Sequence, residues 1–284
     1  MSNLDPILKD FEADVERVKH LLSLVKIFKE FGASTPDEES SWGAAQSLHD
    51  TAKKCRTDLP IFSGSLQLYL AGRFEYCIRQ VVETVAEEIA SRTTKYTDIP
   101  DVIKNELKIK TLEIAQNPKR FGYDEAGSDA LLEALVTSKK CIAGPVSIKS
   151  ELLSLTDSNM KDRIMADLLK RVGMVDFWQG VGRQTAMKLE VEKNGDGETT
   201  IEAQARLNLI MVERNQVAHP TGGTQFPDPD KVLKAANFLK TLATITVDLA
   251  KVYLTSYRNT NGCSTKLNPS SPPTPPETSP VLGS

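Results

Sequence analysis

Apolar residues recur at helical spacing along almost the whole chain. Leu4, Leu8, Phe11, Val15, Val18, Leu22 and Val25 alternate in steps of four and three, a heptad seam that predicts an amphipathic helix over 5–31. Gly32 and the acidic stretch 34–41, which contains Pro36, end it. Such a seam either packs on its own domain or pairs with a second chain as a coil that helps hold a dimer. A shorter helix over 42–56 carries Trp42, Ala45, Leu48, Ala52 and Cys55 on one face, and His20 and His49 fall at surface positions. Asp58-Leu59-Pro60 reads as a break. The longest stripe follows over 62–92, through Leu66, Leu70, Phe74, Ile78, Val81, Val85 and Ile89. At 1.5 Å per residue that helix is on the order of 45 Å long, a principal strut of a bundle. Arg73 and Glu75 lie beside the stripe.

The middle of the chain is more broken. Residues 93–99 are a polar connection, and Pro100 opens a helix to 116 that stops before Pro118. Lys104, Lys108, Lys110, Lys119 and Arg120 make this stretch basic, either as a solvated helix face or as a surface for an RNA backbone. Beyond a loop at 122–127, Ser128 is an N-cap candidate for a helix to 140, and Gly144-Pro145 breaks the chain again. A short apolar helix or turn over 148–155 precedes a helix over 159–172 that ends at Gly173. Asp176 caps a helix to 189, weakened by Gly180 and Gly182. Asn194-Gly195-Asp196-Gly197 has the residues of a turn.

Two long helices close the pattern. Thr199 with Glu202 forms a capping box for a helix over 199–219. Ala203, Leu207, Ile210 and Val217 make one line on it, which Arg214 joins, and Ala205, Leu209 and Val212 make a second on the other side. Apolar on two sides, this helix is expected at the centre of its bundle. Asp228-Pro229 opens the last helix, with Val232, Ala235, Phe238, Leu242, Ile245, Leu249 and Val252 on its apolar side, to 257. From Asn259 the chain turns to Asn, Ser, Thr and Pro, with Pro272-Pro273-Thr274-Pro275-Pro276, the composition of a disordered tail. No strand pattern or repeat is present. The class is all-α, an up-and-down bundle in which the 62–92 helix packs with the 200–219 and 229–257 helices and one from the middle.

Composition bounds the function. A net charge of −3 argues against a generally basic nucleic-acid coat, although 35 Lys and Arg leave room for a local basic groove. The four cysteines, Cys55, Cys77, Cys141 and Cys263, lack CxxC spacing and fit a reducing cytoplasm, with Cys77 as a small core residue. Three histidines offer no zinc site. Acids among the N-terminal apolar residues argue against a signal peptide, and no run of about 18 apolar residues predicts a membrane span.

One stretch stands out chemically: Val212-Glu213-Arg214-Asn215-Gln216-Val217-Ala218-His219-Pro220. Pro220 disfavours the α conformation at His219, which therefore sits at or past the last helical turn. On a regular helix Arg214 and His219 would point roughly 140° apart, so release from helical geometry is what lets the ring turn back toward the arginine. RNA cleavage needs a group to move the 2′-hydroxyl or leaving-group proton and a cation to steady phosphorane-like charge. Histidine, with an ordinary pKa of ~6.5, suits the first. Arginine, always charged and bidentate toward phosphate, suits the second. Asn215 could orient the His or contact the phosphate. Read from these residues alone, an Arg and a His five apart are a weak pattern, and a structural pair with a helix cap is the first reading.

Residues 214–220 resemble the signature of the HEPN superfamily, an Arg and a His separated by a short spacer with a polar residue after the Arg. More narrowly, the chain resembles the RiboL-PSP-HEPN family. The stretch Ser63-Gly64-Ser65-Leu66-Gln67-Leu68-Tyr69-Leu70-Ala71-Gly72-Arg73-Phe74-Glu75-Tyr76-Cys77-Ile78 is similar to that family's first core helix, and the likeness covers roughly 56–256. The resemblance implies a HEPN-like helical domain over 56–257, preceded by N-terminal helices over 1–55 and followed by the tail over 258–284. It implies a metal-independent endoribonuclease without cofactor, whose site forms where two Arg–His motifs face each other in a homodimer. Arg214 would stabilise phosphate charge, His219 would act in acid/base transfer and Asn215 would position one of them, with Glu75 as a further candidate to orient either. Proteins of this kind serve as toxins or antiviral defence effectors, which implies an RNA substrate and an antitoxin or defence-system partner, with no membrane. The competing expectation is a non-catalytic HEPN-like interaction module, to which the heptad seam and the proline-rich tail are suited.

Overall fold

A computed structural model describes residues 3–35, 43–140 and 146–262. Each long apolar stripe becomes the buried face of a helix: α1 (Asp5–Phe31), α2 (Gly43–Cys55), α3 (Leu59–Ser91), α4 (Asp101–Gln116), α5 (Glu125–Lys139), α6 (Asp162–Arg171), α7 (Phe177–Gly182), α8 (Thr185–Val191), α9 (Asp196–Ala218) and α10 (Pro229–Gly262). Three 3-10 turns, Tyr96–Asp98, Pro118–Phe121 and Ser150–Ser154, join them, and no strand occurs among the described residues. The fold is an all-α bundle. Among the described residues no helix is long and apolar enough to cross a membrane.

The core sits along α3. Leu70, Phe74, Ile78, Val81, Val85 and Ile89 are all fully buried. α1 and α10 pack on this helix and on each other, and α9 packs on it from another side. Burying one such side chain is worth ~1.5–3 kcal/mol. The seam of α1 (Leu4, Phe11, Val15, Val18 and Leu22) is buried in the same core cluster, with Phe11 tilted against Phe74 at 5.9 Å between ring centroids. Cys77 is buried here too, and its burial pushes the thiol up to about 12, so it is an inert packing residue.

One polar cluster registers α1 on α3. The Asp14 side chain, 2% exposed, accepts hydrogen bonds from Tyr69 Oη at 2.8 Å and Arg17 Nη1 at 2.7 Å. It also pairs with Arg73, whose guanidinium lies 5.0 Å over the Tyr76 ring. Burial pushes this carboxyl up, but the donors from Tyr69, Arg73 and Arg17 outweigh it and hold it below the ordinary carboxylate range.

Several helix ends differ from expectation for local reasons. Pro60 does not break α3; it fits the first turn, where its missing N–H costs nothing, so the helix starts at Leu59. Asp124, not Ser128, caps α5, its side chain accepting from Gly127 N at 2.7 Å while Ser128 is buried inside the helix. Thr199 is not the N-cap of α9: the helix begins at Asp196, absorbing the supposed turn, and the buried Thr199 hydroxyl donates back to Gly195 O at 2.8 Å. The 176–189 stretch forms two helices, α7 and α8, rather than one. α6 begins at Asp162, leaving Asn159 outside it. It ends at Arg171, and Gly173 just beyond takes φ +96° and lies so close to Tyr253 that a Cβ would stand 2.2 Å from its Oη. His49 is not at the surface: it is 7% exposed, its Nε2 lies 2.9 Å from Ser34 O, and its ring meets Phe31 edge-on. Trp42, Cys141, Gly144-Pro145, Cys263 and the tail beyond 262 lie outside the described residues.

The Asp14 cluster makes acid stability testable. An unfolded Asp titrates near ~3.9. Because the folded value is lower, the stabilisation is complete above the unfolded value and is lost as pH falls through the folded one. Wild type should exceed Asp14→Asn by about 1–3 kcal/mol in urea denaturation above pH ~5, and the gap should shrink toward zero as Asp14 protonates below the ordinary carboxylate range.

Candidate functional site

The candidate site forms where α9 ends. Its inner line, Ala203, Leu207, Ile210 and Met211, is buried. The outer line is not, contrary to the expectation of a helix buried on both sides: Ile201 is 69% exposed, Leu209 54% and Val212 40%, with Ala205 exposed between them. α9 is therefore a flank of the bundle with an apolar outer face, and its last turn stands at the surface.

Three contacts hold that last turn. Gly64 of α3 allows close approach: a Cβ there would lie 2.7 Å from Phe226 Cδ1 and 3.2 Å from Val217 Cγ1. Gln67, 1% exposed, donates from Nε2 to Glu213 Oε2 at 3.1 Å. Lys231 of α10 pairs with Glu213 at 2.5 Å. The helix ends at His219, whose backbone turns to φ −128° and ψ 67° before Pro220 and whose N–H donates to Asn215 O at 3.0 Å. The His219 side chain is exposed.

Arg214 and Asn215 meet a residue that the helical pattern did not single out. Arg214 Nη1 donates to Asn159 Oδ1 at 3.0 Å and to Asn215 Oδ1 at 3.1 Å. Asn159 Nδ2 donates to Asn215 Oδ1 at 2.8 Å. The half-buried guanidinium is thus held by two neutral amides, and no carboxylate pairs with it among the described residues; its Nε is buried without a hydrogen bond. A half-buried cation without a counter-charge retains its pull on an anion. Asn159 escaped the sequence reading because it sits in a predicted helix; the turn-type run Thr156-Asp157-Ser158-Asn159 was the only local signal that the chain there is irregular.

Glu75 does not bond Arg214 or His219. Its Oε1 accepts the backbone N–H of Met160 at 3.2 Å, so it holds the segment that carries Asn159. Arg73 belongs to the Asp14 cluster instead.

The basic stretch seen in the sequence is neutralised in part. Lys104 pairs with Asp101 at 2.8 Å, Lys110 with Glu113 at 2.7 Å and Arg120 with Asp157 at 2.5 Å. Lys161 and Arg163, like Lys108 and Lys119 of that stretch, are exposed and make no ion pair among the described residues. Lys161 and Arg163 line, with Asn159, Asn208 and the carboxylates Asp157 and Asp162, an open groove of about 690 Å³. Among the described residues there is no group of three or more His, Cys, Asp and Glu side chains that could hold a metal ion.

The RiboL-PSP-HEPN family profile matches residues 46–251, most of the chain and the whole of the Arg214–His219 stretch. The chain belongs to the RiboL-PSP-HEPN family. No curated protein and no solved structure matches it. Membership points to a nuclease or RNA-related role and places the Arg–His stretch in a HEPN domain.

The close approach at Gly64 is open to a direct test. Gly64→Ala should lower stability by about 1–3 kcal/mol, and Gly64→Val by more, because the added carbons wedge the end of α9 from α3. Thermal unfolding reads this, and an unchanged melting temperature in both variants would show that the approach is looser than the distances require.

Proposed function

We propose that this HEPN protein is an endoribonuclease whose chemistry is carried by Arg214 and His219. The observation that supports this most directly is the Arg214 guanidinium, held by amides rather than by a carboxylate, at an exposed helix end that also bears His219. A structural arginine at a half-buried position would ordinarily have a carboxylate partner. An arginine that keeps its charge uncompensated can take up negative charge as it develops on a phosphate. In this reading the 2′-oxygen attacks the adjacent phosphorus, its proton passing to a base. The bond to the 5′-oxygen breaks, and that oxygen takes a proton. The products are a 2′,3′-cyclic phosphate and a 5′-hydroxyl. His219 moves one of these protons, Arg214 steadies the pentavalent phosphorus centre, and Asn215 holds Arg214 in place.

A second copy completes the site in this reading. One Arg–His pair offers a single histidine, whereas the reaction moves two protons. The outer face of α9, Ile201-Ala205-Leu209-Val212, runs along the same helix toward Arg214 and is apolar and exposed. Two chains pairing along this face would bring two helix ends together. A role as a toxin or antiviral defence effector follows from the same activity, since uncontrolled RNA cleavage halts growth.

The decisive comparison is RNA cleavage in EDTA by wild type, Arg214→Ala and His219→Ala. Each variant should lose about 10²–10⁴-fold in rate while keeping its melting temperature and oligomeric state. If all three are inert, or if cleavage survives both changes, the chain is an interaction module and the Arg–His stretch is structural. Leu209→Asp should convert the protein to a monomer with native helix content and abolish cleavage; a cleaving monomer would sink the shared site.

A further inference from the structure

We infer that Asn159 is a positioning residue: its amide sets the orientation of both Arg214 and Asn215, from a loop segment that other elements hold rigid. This deepens the ribonuclease reading and rests on it for the catalytic consequence, though not for the geometry.

The hydrogen bonds admit only one arrangement of the two amides. Arg214 can only donate, so the Asn159 atom facing Nη1 at 3.0 Å must be the oxygen. That places Asn159 Nδ2 toward Asn215, 2.8 Å from an atom that must therefore accept. The same Asn215 oxygen lies 3.1 Å from Arg214 Nη1, which demands an acceptor independently. Flipping either amide would set donor against donor or oxygen against oxygen. The three side chains are thus mutually determined, and both donors on the Nδ2 of Asn215 are left without a protein acceptor among the described residues. With Nη1 engaged by the amides and Nε buried, Nη2 is the nitrogen left to meet a phosphate.

Asn159 can impose this because its segment is anchored on both sides. Upstream, Arg171 Nη1 donates to Leu153 O at 3.0 Å and Leu155 O at 2.7 Å. Downstream, Asp162 N donates to Asn208 Oδ1 at 3.0 Å, and Trp178 Nε1 donates to Asp162 O, also at 3.0 Å. Between them, Met160 is fully buried, its N–H is taken by Glu75, and Lys161 N closes a tight turn onto Asn159 O at 2.7 Å. Side chains from α3, α6, α7 and α9 therefore make five hydrogen bonds to the backbone on either side of one asparagine. This is far more restraint than an irregular connection needs simply to join two helices, and it is what holding a cation to within a fraction of an ångström requires. Glu75, in this arrangement, acts on Arg214 through the chain at Met160 and Asn159 rather than by contact.

The test compares wild type with Asn159→Ala, Asn159→Asp and, as a control on the same exposed segment, Ser158→Ala. Asn159→Ala should lower kcat for RNA by about 10–100-fold with KM within a few-fold, because Arg214 is present but misplaced. Asn159→Asp keeps an acceptor for Arg214 and loses the donor to Asn215, so it should be impaired as well; it also serves if the alanine variant does not fold. Ser158→Ala should match wild type. A second readout is independent of cleavage: the Nε–Hε NMR signal of Arg214, identified by its loss in Arg214→Lys, should shift and broaden in Asn159→Ala while the melting temperature stays near that of wild type. Full activity of Asn159→Ala, or an unchanged Arg214 signal, overturns the inference. If wild type cuts no RNA, the ribonuclease reading fails by itself, and the NMR signal alone decides whether Asn159 fixes Arg214.

Discussion

The structure depends on α3 burying an unbroken apolar stripe while reaching α1, α9 and the connection before α6 through polar anchors. Apolar packing sets which helices associate, but it is non-directional and leaves their sliding and rotation weakly defined. The anchors remove that freedom. Arg73 and Tyr69 meet Asp14 and register α1, Gln67 meets Glu213 and registers α9, and Glu75 meets Met160 and registers the connection before α6. Each lies on a different side of one helix, spaced so that no two compete for the same neighbour. Gly64 adds a steric term at the α9 end, where no side chain fits between the helices.

The candidate site is a consequence of that arrangement. A helix that ends at a proline exposes its last turn, and a flexible last turn would be of little chemical use. Here it is pinned by α3 and α10 through Glu213, while the amide of Asn159 arrives from a rigid connection to hold Arg214. The arginine's charge has no carboxylate beside it, because the partners that hold it are neutral amides. The groove past Lys161 and Arg163 shares Asn159 with the site, and two lysines of α4, Lys104 and Lys110, are spent on neighbouring carboxylates. Local basicity in a sequence is thus a poor guide to where an anion meets unpaired charge.

Most of the helices were legible from period alone, since the stripes of α1, α3 and α10 are long and regular. So were the end of α9, from Pro220, and the pair Arg214 and Asn215. The misread features share one cause. Thr199, Ser128 and Pro60 carry local signals for helix ends, but tertiary burial or a better neighbour displaced each of them. His49 looked polar and peripheral, and became buried because α2 folds onto the end of α1. The outer line of α9 looked like core, because periodicity reports which residues share a face and not what that face meets.

The sequence by itself determined the helical class, the strut at α3 and the chemistry available at residues 214–219, because helical period and residue type are local properties of the chain. Only the tertiary structure decided that Glu75 serves Met160, that α9 turns an apolar line outward, and that Asn159, 55 positions before Arg214, is the group holding it. Those outcomes depend on how rigid elements are brought together, and hydrogen bonds across such separations leave no periodic trace in the chain that makes them.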